Sequence, residues 1–207
     1  MTDRLAIIGA GGHGKVAADV ARASGWRDIL LFDDAWAGDN YRAGNWTVVG
    51  KSENIEGYPV DGVFVAVGDA GHRARLVAHV LEQGWPLVTL CAPSAVVSAD
   101  AWLAGGVLVA PGAMINVDAR VGEGAIINTG AIVEHDVQVG TFSHVCPGVA
   151  LGGDVRVGDR SWIGIGATVR HGVRIGNDVM VGAGAVVVSD VADGLQVTGV
   201  PARARRN

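Results

Sequence analysis

Cysteine is scarce in this 207-residue chain. Cys91 and Cys146, 55 positions apart, form neither a disulfide framework nor a CxxC metal pair, and both read as buried free thiols. Long hydrophobic runs are missing as well: no stretch of eighteen apolar residues exists to cross a membrane. The opening MTDRLAIIGAGG lacks a basic leader and a cleavage site, so a soluble, cytoplasmic protein without a membrane partner is expected. An excess of positive charge is also absent. A net charge of −5, with Arg203, Arg205 and Arg206 as the one basic cluster, excludes a general nucleic-acid footprint and leaves anionic ligands to local groups.

What the chain does have is glycine, 32 residues of it, within a composition that is 49% apolar. From Val97 to Ala192 the sequence divides into sixteen consecutive six-residue blocks, each opening on Val, Leu or Ile. The fifth position holds only Ala, Val or Ser, as at Ala101, Ser143, Ser161 and Val191. Such a hexad predicts a parallel β-helix, three hexads to an 18-residue coil, with a little over five coils. First positions point inward and the small fifth positions fit corners. Gly or Asp at the fourth (Gly124, Gly130, Asp136, Asp154, Gly166, Asp178) suits turns. Six matches neither the 3.6-residue helical period nor the heptad.

The first ninety residues follow another rhythm. RLAIIG reads as a buried strand, GAGGHG as a glycine loop, KVAADVARASGW as a helix and DILLFDD as a second strand; VDGVFVAVG and HRARLVAHVLEQG add a further strand and helix. The segment Trp36 to Trp46 reads as a long loop, and the boundary falls near Ala92 to Ser94, giving domains 1–92 and 93–207. This is a Rossmann-like half domain ahead of the β-helix. Gly9, Gly11 and Gly14 match GxGxxG between strand and helix, where backbone N–H groups can face a phosphate. A unit of three or four strands suits one nucleotide diphosphate better than a dinucleotide. Within the loop, His13 is a candidate donor to a phosphate oxygen. Asp33 and Asp34 end the second strand about twenty residues on, where a carboxylate reaches ribose or base, although Asp34 can equally open the next turn.

On the β-helix, residues 18 apart stand one coil above another, about 4.8 Å away. Val117, His135, Gly153, His171 and Ser189 therefore share a column, with His135 directly beneath a residue that has no side chain. The gap beside Gly153 and its backbone N–H make a seat for a thioester carbonyl. Glu134 and Asp136 flank His135, and a carboxylate on one ring nitrogen raises the basicity of the other. Asn128 and His144 lie in adjacent hexads and are candidates for one crevice, with structural roles equally open. His171 stands two coils above His135, about 10 Å. That is too far to share a metal whose ligands lie at about 2 Å, so no metal is expected. Cys146 has no base beside it in sequence, which disfavours covalent acyl transfer.

The strings GAGGHGKV, the DD after the second strand, VFVAVGD, INTGAIVEHDVQVGTFSHVCPGV and TGVPAR together resemble the NeuD/PglD family of sugar acyltransferases over nearly the whole chain. The resemblance is strongest to bacterial nucleotide-sugar N-acetyltransferases. It implies a left-handed β-helix, a homotrimer with sites between subunits, acetyl-CoA as cosubstrate and a nucleotide-linked 4-amino-4,6-dideoxy sugar as acceptor. On its pattern His135 is the general base, with Asp136 or Glu134 as partner; Asp136 stands where some relatives carry Glu. Gly153, His144, Ile165, Gly199, Pro201 and Arg203 fall at the coenzyme, and Gly11, Gly12, His13, Gly14, Asp33, Asp34 and Asn128 at the nucleotide sugar. Two other classes stay open: an O-acetyltransferase acting on sialic acid or a glycan hydroxyl, told apart by its acceptor, and a non-catalytic trimeric nucleotide-binding scaffold. The scaffold reading leaves the VEHD segment and Gly153 without a purpose.

Overall fold

The computed structural model describes residues 3–36, 38 and 41–205. The chain divides into two compact units, the first ending at Pro93 and the second beginning at Ser94.

The first unit contains β1 (Arg4–Ile8), α1 (Gly12–Ala23), β2 (Asp28–Phe32), β3 (Arg42–Ala43), β4 (Trp46–Gly50), β5 (Gly62–Val65) and α2 (Ala70–Glu82). Its sheet runs β3-β4-β2-β1-β5 and is parallel except for β3. Leu5, Ala6, Ile7, Val63 and Phe64 are buried, as strands covered on both faces must be. From β1 the chain crosses through α1 to β2 on one side and later returns to β5 on the other, which opens a crevice at the carboxyl end of β1. The stretch read as a loop from Trp36 to Trp46 is partly ordered: Arg42–Ala43 pairs antiparallel with Trp46–Thr47 around a turn where Gly44 has φ +63°. That hairpin is too short to carry a period in sequence, and Ala37, Asp39 and Asn40 of the same stretch lie outside the described residues.

The second unit is a left-handed parallel β-helix whose strands are two residues long except for Gln196–Thr198. Its first face stacks Val96–Val97, Met114–Ile115, Ile132–Val133, Ala150–Leu151, Thr168–Val169 and Val186–Val187 in 18-residue register. The second face stacks Trp102–Leu103, Arg120–Val121, Gln138–Val139, Arg156–Val157 and Arg174–Ile175. The third includes Leu108–Val109, Ile126–Ile127, His144–Val145, Trp162–Ile163 and Met180–Val181. First-position residues from Val109 to Val187 are buried and form the core columns. At the fourth position Gly124, Gly130, Asp136, Asp154, Gly166 and Asp178 have φ between 54° and 66°, the left-handed turn that Gly and Asp tolerate best.

The sixteenth block departs from the count. Val191 pairs with Ile175 and Gln196 with Met180, an offset of 16 residues rather than 18. The cause is Asp190, whose Oδ1 accepts the Arg174 N–H at 2.8 Å in place of a strand carbonyl, so the coil turns two residues early. Beyond it, Arg203–Ala204 folds back antiparallel on Val197–Thr198.

Ser143 and Ser161 show why a hydroxyl is tolerated at a buried fifth position. Ser143 Oγ donates to Gly158 O at 2.6 Å and accepts the Ser161 N–H at 2.9 Å. One coil up, Ser161 Oγ donates to Gly176 O at 2.7 Å and accepts the Val179 N–H at 3.0 Å. Ser161→Ala leaves that N–H and that carbonyl without their partner and is expected to lower stability by about 1–3 kcal/mol. Chemical denaturation measures this, and an unchanged midpoint contradicts it.

Candidate active site

Two groups of polar residues form on the β-helix. The first lies at the corner between its first and second faces. The pairing of Ile132–Val133 with Ala150–Leu151 places His135 one coil below Gly153, and Asp154 N donates to His135 O at 3.0 Å. A Cβ added to Gly153 would lie 2.6 Å from both Cε1 and Nε2 of His135. The imidazole thus fills the space that any side chain at 153 would need. Gly153 N–H donates to no acceptor among the described residues, while its carbonyl accepts from Gly172 N at 2.9 Å.

Asp136 Oδ2 lies 2.8 Å from His135 Nδ1. That contact holds the His135 pKa above the ordinary histidine value against an opposing desolvation, and the charges of Asp136, Glu134 and Asp154 add to it. With Nδ1 engaged, the basic lone pair is on Nε2, the atom that faces Gly153. Glu134 was the other candidate partner, and it does not reach the ring: its Oε2 accepts from Asn116 Nδ2 at 2.9 Å, one coil below. Its influence on His135 is therefore through charge.

The second group is Asn128, His144 and Trp162. Asn128 Oδ1 accepts the Thr129 N–H at 2.8 Å, which turns its NH2 towards His144 Nε2 at 3.0 Å and leaves the ring proton on Nδ1. Trp162, in register above His144, packs against it edge-on at 4.4 Å between centroids. Within one protomer these residues occupy the third face and its border with the first, apart from the His135 corner. Ile165 stands at that same border, 61% exposed. Gly199, Pro201 and Arg203 lie past the last coil, where Gly199 O accepts from Val186 N and Arg203 joins the returning strand. Arg206 lies outside the described residues.

In the first unit the glycine loop is built for close approach. Gly9 has φ +106°, and its Cβ would meet Ala66 O at 2.7 Å. A Cβ on Gly14 would sit within 2.1 Å of Gly9 O. Gly11 and Gly12 face open space, Gly11 offers no side-chain cap, and the first turn of α1 carries no acid. Its N–H groups are thus available to an anion.

Asp33 has a structural duty, with Oδ2 accepting the Ala10 N–H at 2.7 Å and Oδ1 the Ala35 N–H at 2.9 Å. Asp34 Oδ1 accepts from Ser52 N and Ser52 Oγ at 3.0 and 2.7 Å, which lowers its pKa. Asp34 Oδ2 is the oxygen of the pair without a protein bond among the described residues. His13 is half-buried, and desolvation, then the Arg73 charge, lowers its pKa to about 4. It is neutral at pH 7 and can offer a phosphate an N–H but no charge.

Arg73 escaped the reading of the sequence. It is 1% exposed and donates through Nη1 to Val67 O and Gly68 O, both at 2.7 Å, fixing the turn beside Gly9. Burial lowers its pKa to about 10. Its signal was available, since Arg73, Val77 and Val80 share the buried stripe of α2 at helical spacing. Cys146 is buried and its thiol is pushed up to about 12, so it carries no thiolate at neutral pH. No cluster of three or more metal-ligating side chains occurs among the described residues.

A family model of the PglD N-terminal domain matches residues 4–80, and one of the bacterial transferase hexapeptide (six repeats) matches residues 154–189. The chain is similar to the acetyltransferase domain of PglB from Neisseria gonorrhoeae, crystallised with acetyl coenzyme A. Identity is 36% over 99% of this chain and 100% of that one, with a TM-score of 0.94. It is similar also to PerB from Caulobacter crescentus in complex with CoA and GDP-perosamine, at 40% identity over 98% and 97% of the two chains and a TM-score of 0.91. A mutant described as GDP-perosamine N-acetyl transferase from the same organism gives 39% identity, 98% and 97% coverage and a TM-score of 0.93.

The carboxylate contact makes a testable statement about titration. By NMR, His135 is expected to titrate above the ordinary histidine value, and Asp136→Asn to bring it down towards that value. An unmoved titration in the variant assigns the upward shift to another group.

Proposed function

Since the chain belongs to the NeuD/PglD family of hexapeptide-repeat sugar acyltransferases, we propose that it is an N-acetyltransferase. The reaction moves acetyl from acetyl-CoA to the amine of a nucleotide-linked 4-amino-4,6-dideoxy sugar. The observation that carries this reading is the His135 imidazole, held by Asp136 at Nδ1 and set against the bare backbone of Gly153. The relatives crystallised with GDP-perosamine and with acetyl coenzyme A give the two substrate classes.

Transfer is direct. The neutral sugar amine attacks the thioester carbonyl while His135 Nε2 accepts its proton, and Asp136 steadies the resulting imidazolium. The Gly153 N–H, which has no acceptor among the described residues, donates to the oxyanion as the carbonyl becomes tetrahedral. Collapse breaks the carbon–sulfur bond and releases CoA. No acyl-enzyme is involved, since the helix's one cysteine, Cys146, is buried and protonated. The glycine loop and the α1 N-terminus take the diphosphate, with Asp34 Oδ2 as acceptor for ribose or base.

A homotrimer belongs to the same proposal. Above Trp102 the second face shows water a column of Arg120, Gln138, Arg156 and Arg174, whereas five other exposed apolar side chains gather on the first and third faces and their border. Val96 and Met114 lie on the first face, Trp162 and Met180 on the third, and Ile165 on their shared border. Apolar patches of this kind mark contacts with another chain. Association through that border also gives the Asn128 and His144 group a route to a neighbouring protomer's His135 corner. A cytoplasmic location accompanies the two activated substrates; among the described residues no helix is long and apolar enough to span a membrane.

With acetyl-CoA and a panel of UDP-, GDP- and dTDP-linked amino sugars, thiol release is expected with an amine acceptor and absent when a hydroxyl replaces it. No release from any amine on the panel rules the reading out. His135→Ala is expected to lower kcat by at least 10²- to 10⁴-fold, with unchanged circular dichroism because the side chain is exposed; full activity removes His135 from the role. Met114→Glu together with Met180→Glu is expected to give monomers in sedimentation velocity, and a trimer that persists rejects the assigned faces.

A further inference from the structure

The column that carries His135 and Gly153 continues through His171 and Ser189, both exposed. Register is strict here: Ala150–Leu151 pairs with Thr168–Val169, and that pair with Val186–Val187. Gly172 N donates to Gly153 O at 2.9 Å, and a Cβ on Gly152 would lie 2.8 Å from His171 N, so the two turns are stacked tightly. Gly153 therefore lies between two histidine positions, with the His135 ring packed against it from one coil below and His171 one coil above. The proposed reaction uses only the lower ring.

The direction of a bound thioester along this column follows from charge. Above Gly153 the track passes His171 and Ser189, and the exposed Arg203 and Arg205 lie beyond the last coil. Below His135 it meets Val117, 44% exposed, and Asp118. The phosphates of a coenzyme lie towards the arginines, so its pantetheine arm rises past His171. In that arm the first amide nitrogen is three bonds from the thioester sulfur and its carbonyl carbon four, a span of about 4 to 5 Å by standard bond lengths. One coil of a parallel β-helix rises about 4.8 Å. A thioester level with Gly153 therefore brings its first amide level with His171.

We propose that His171 is a donor-binding residue, its imidazole hydrogen-bonding the first amide of the pantetheine arm and so holding the thioester carbonyl in register with the Gly153 N–H. This rests on the reading of acetyl-CoA as donor. The ring takes no part in proton transfer to the reacting atoms; it sets the height at which they meet.

Three donors test it: acetyl-CoA, S-acetyl-N-acetylcysteamine, which keeps the first amide, and ethyl thioacetate, which lacks it. His171→Ala is expected to lower kcat/KM about 3- to 10-fold with the first two, the loss of one hydrogen bond. The KM of the sugar and the rate with ethyl thioacetate should not change, and His171→Gln should recover most of the loss. Equal losses with the amide-free donor, or none with acetyl-CoA, overturn the assignment. Calorimetry with CoA alone separates this from the proposed reaction. If the protein binds CoA and His171→Ala weakens binding about 3- to 10-fold, the inference stands even where no acetyl is transferred; if the variant binds CoA as tightly as the parent, it falls whatever the turnover.

Discussion

The second unit depends on one interaction repeated at every corner, the backbone hydrogen bond from one coil to the next. Because each strand from Val96 to Val187 is only two residues long, a slip of one residue would turn every core Val and Ile outward. The 18-residue spacing is thus enforced at each level from Val97 to Val187. It converts sequence distance into height. His135, Gly153 and His171 come together because they differ by 18, and no helix or long loop is needed to assemble them.

That geometry also decides where glycine is required. At fourth positions the demand is conformational, and Asp136, Asp154 and Asp178 meet it as Gly124 and Gly166 do. Gly153 is required for another reason, the imidazole packed against its Cα. Two stacked turns thus supply an αL aspartate that holds the imidazole and, one coil above, a backbone without a side chain. Elsewhere the corners spend their side chains on cohesion. Asp159 Oδ1 accepts from Thr141 N, Asn177 Oδ1 from Asp159 N and Asp193 Oδ1 from Asn177 N, each closing one coil onto the next.

In the first unit the carboxylates near the loop carry more structure than their sequence position implies. Asp33 ties the loop to the end of β2 through the Ala10 N–H, so that Gly11 and Gly12 stay open to a ligand. Arg73 does the same for the opposite wall by bonding two consecutive carbonyls. Desolvation, with the Arg73 charge added to it, keeps His13 neutral, which makes the helix N-terminus, and not the histidine, the positive element at the loop.

The sequence alone determined what rests on period and spacing: a β-helix from the hexad, a βαβ unit with a glycine loop, and the vertical pairing of His135 with Gly153. These were legible because a parallel stack repeats with fixed length, so counting residues is equivalent to measuring distance. Only the tertiary structure decided which carboxylate holds the imidazole, since Glu134 and Asp136 are equidistant neighbours in sequence and the αL turn sends one to the ring and the other to Asn116. It likewise decided that Asn128 binds His144, that Asp33 serves the loop, and that the last coil shortens by two residues at Asp190. For Asp33, Asn128 and Asp190 the choice depends on which backbone N–H is left for a side chain to meet, and that is settled only when neighbouring coils and strands are in place.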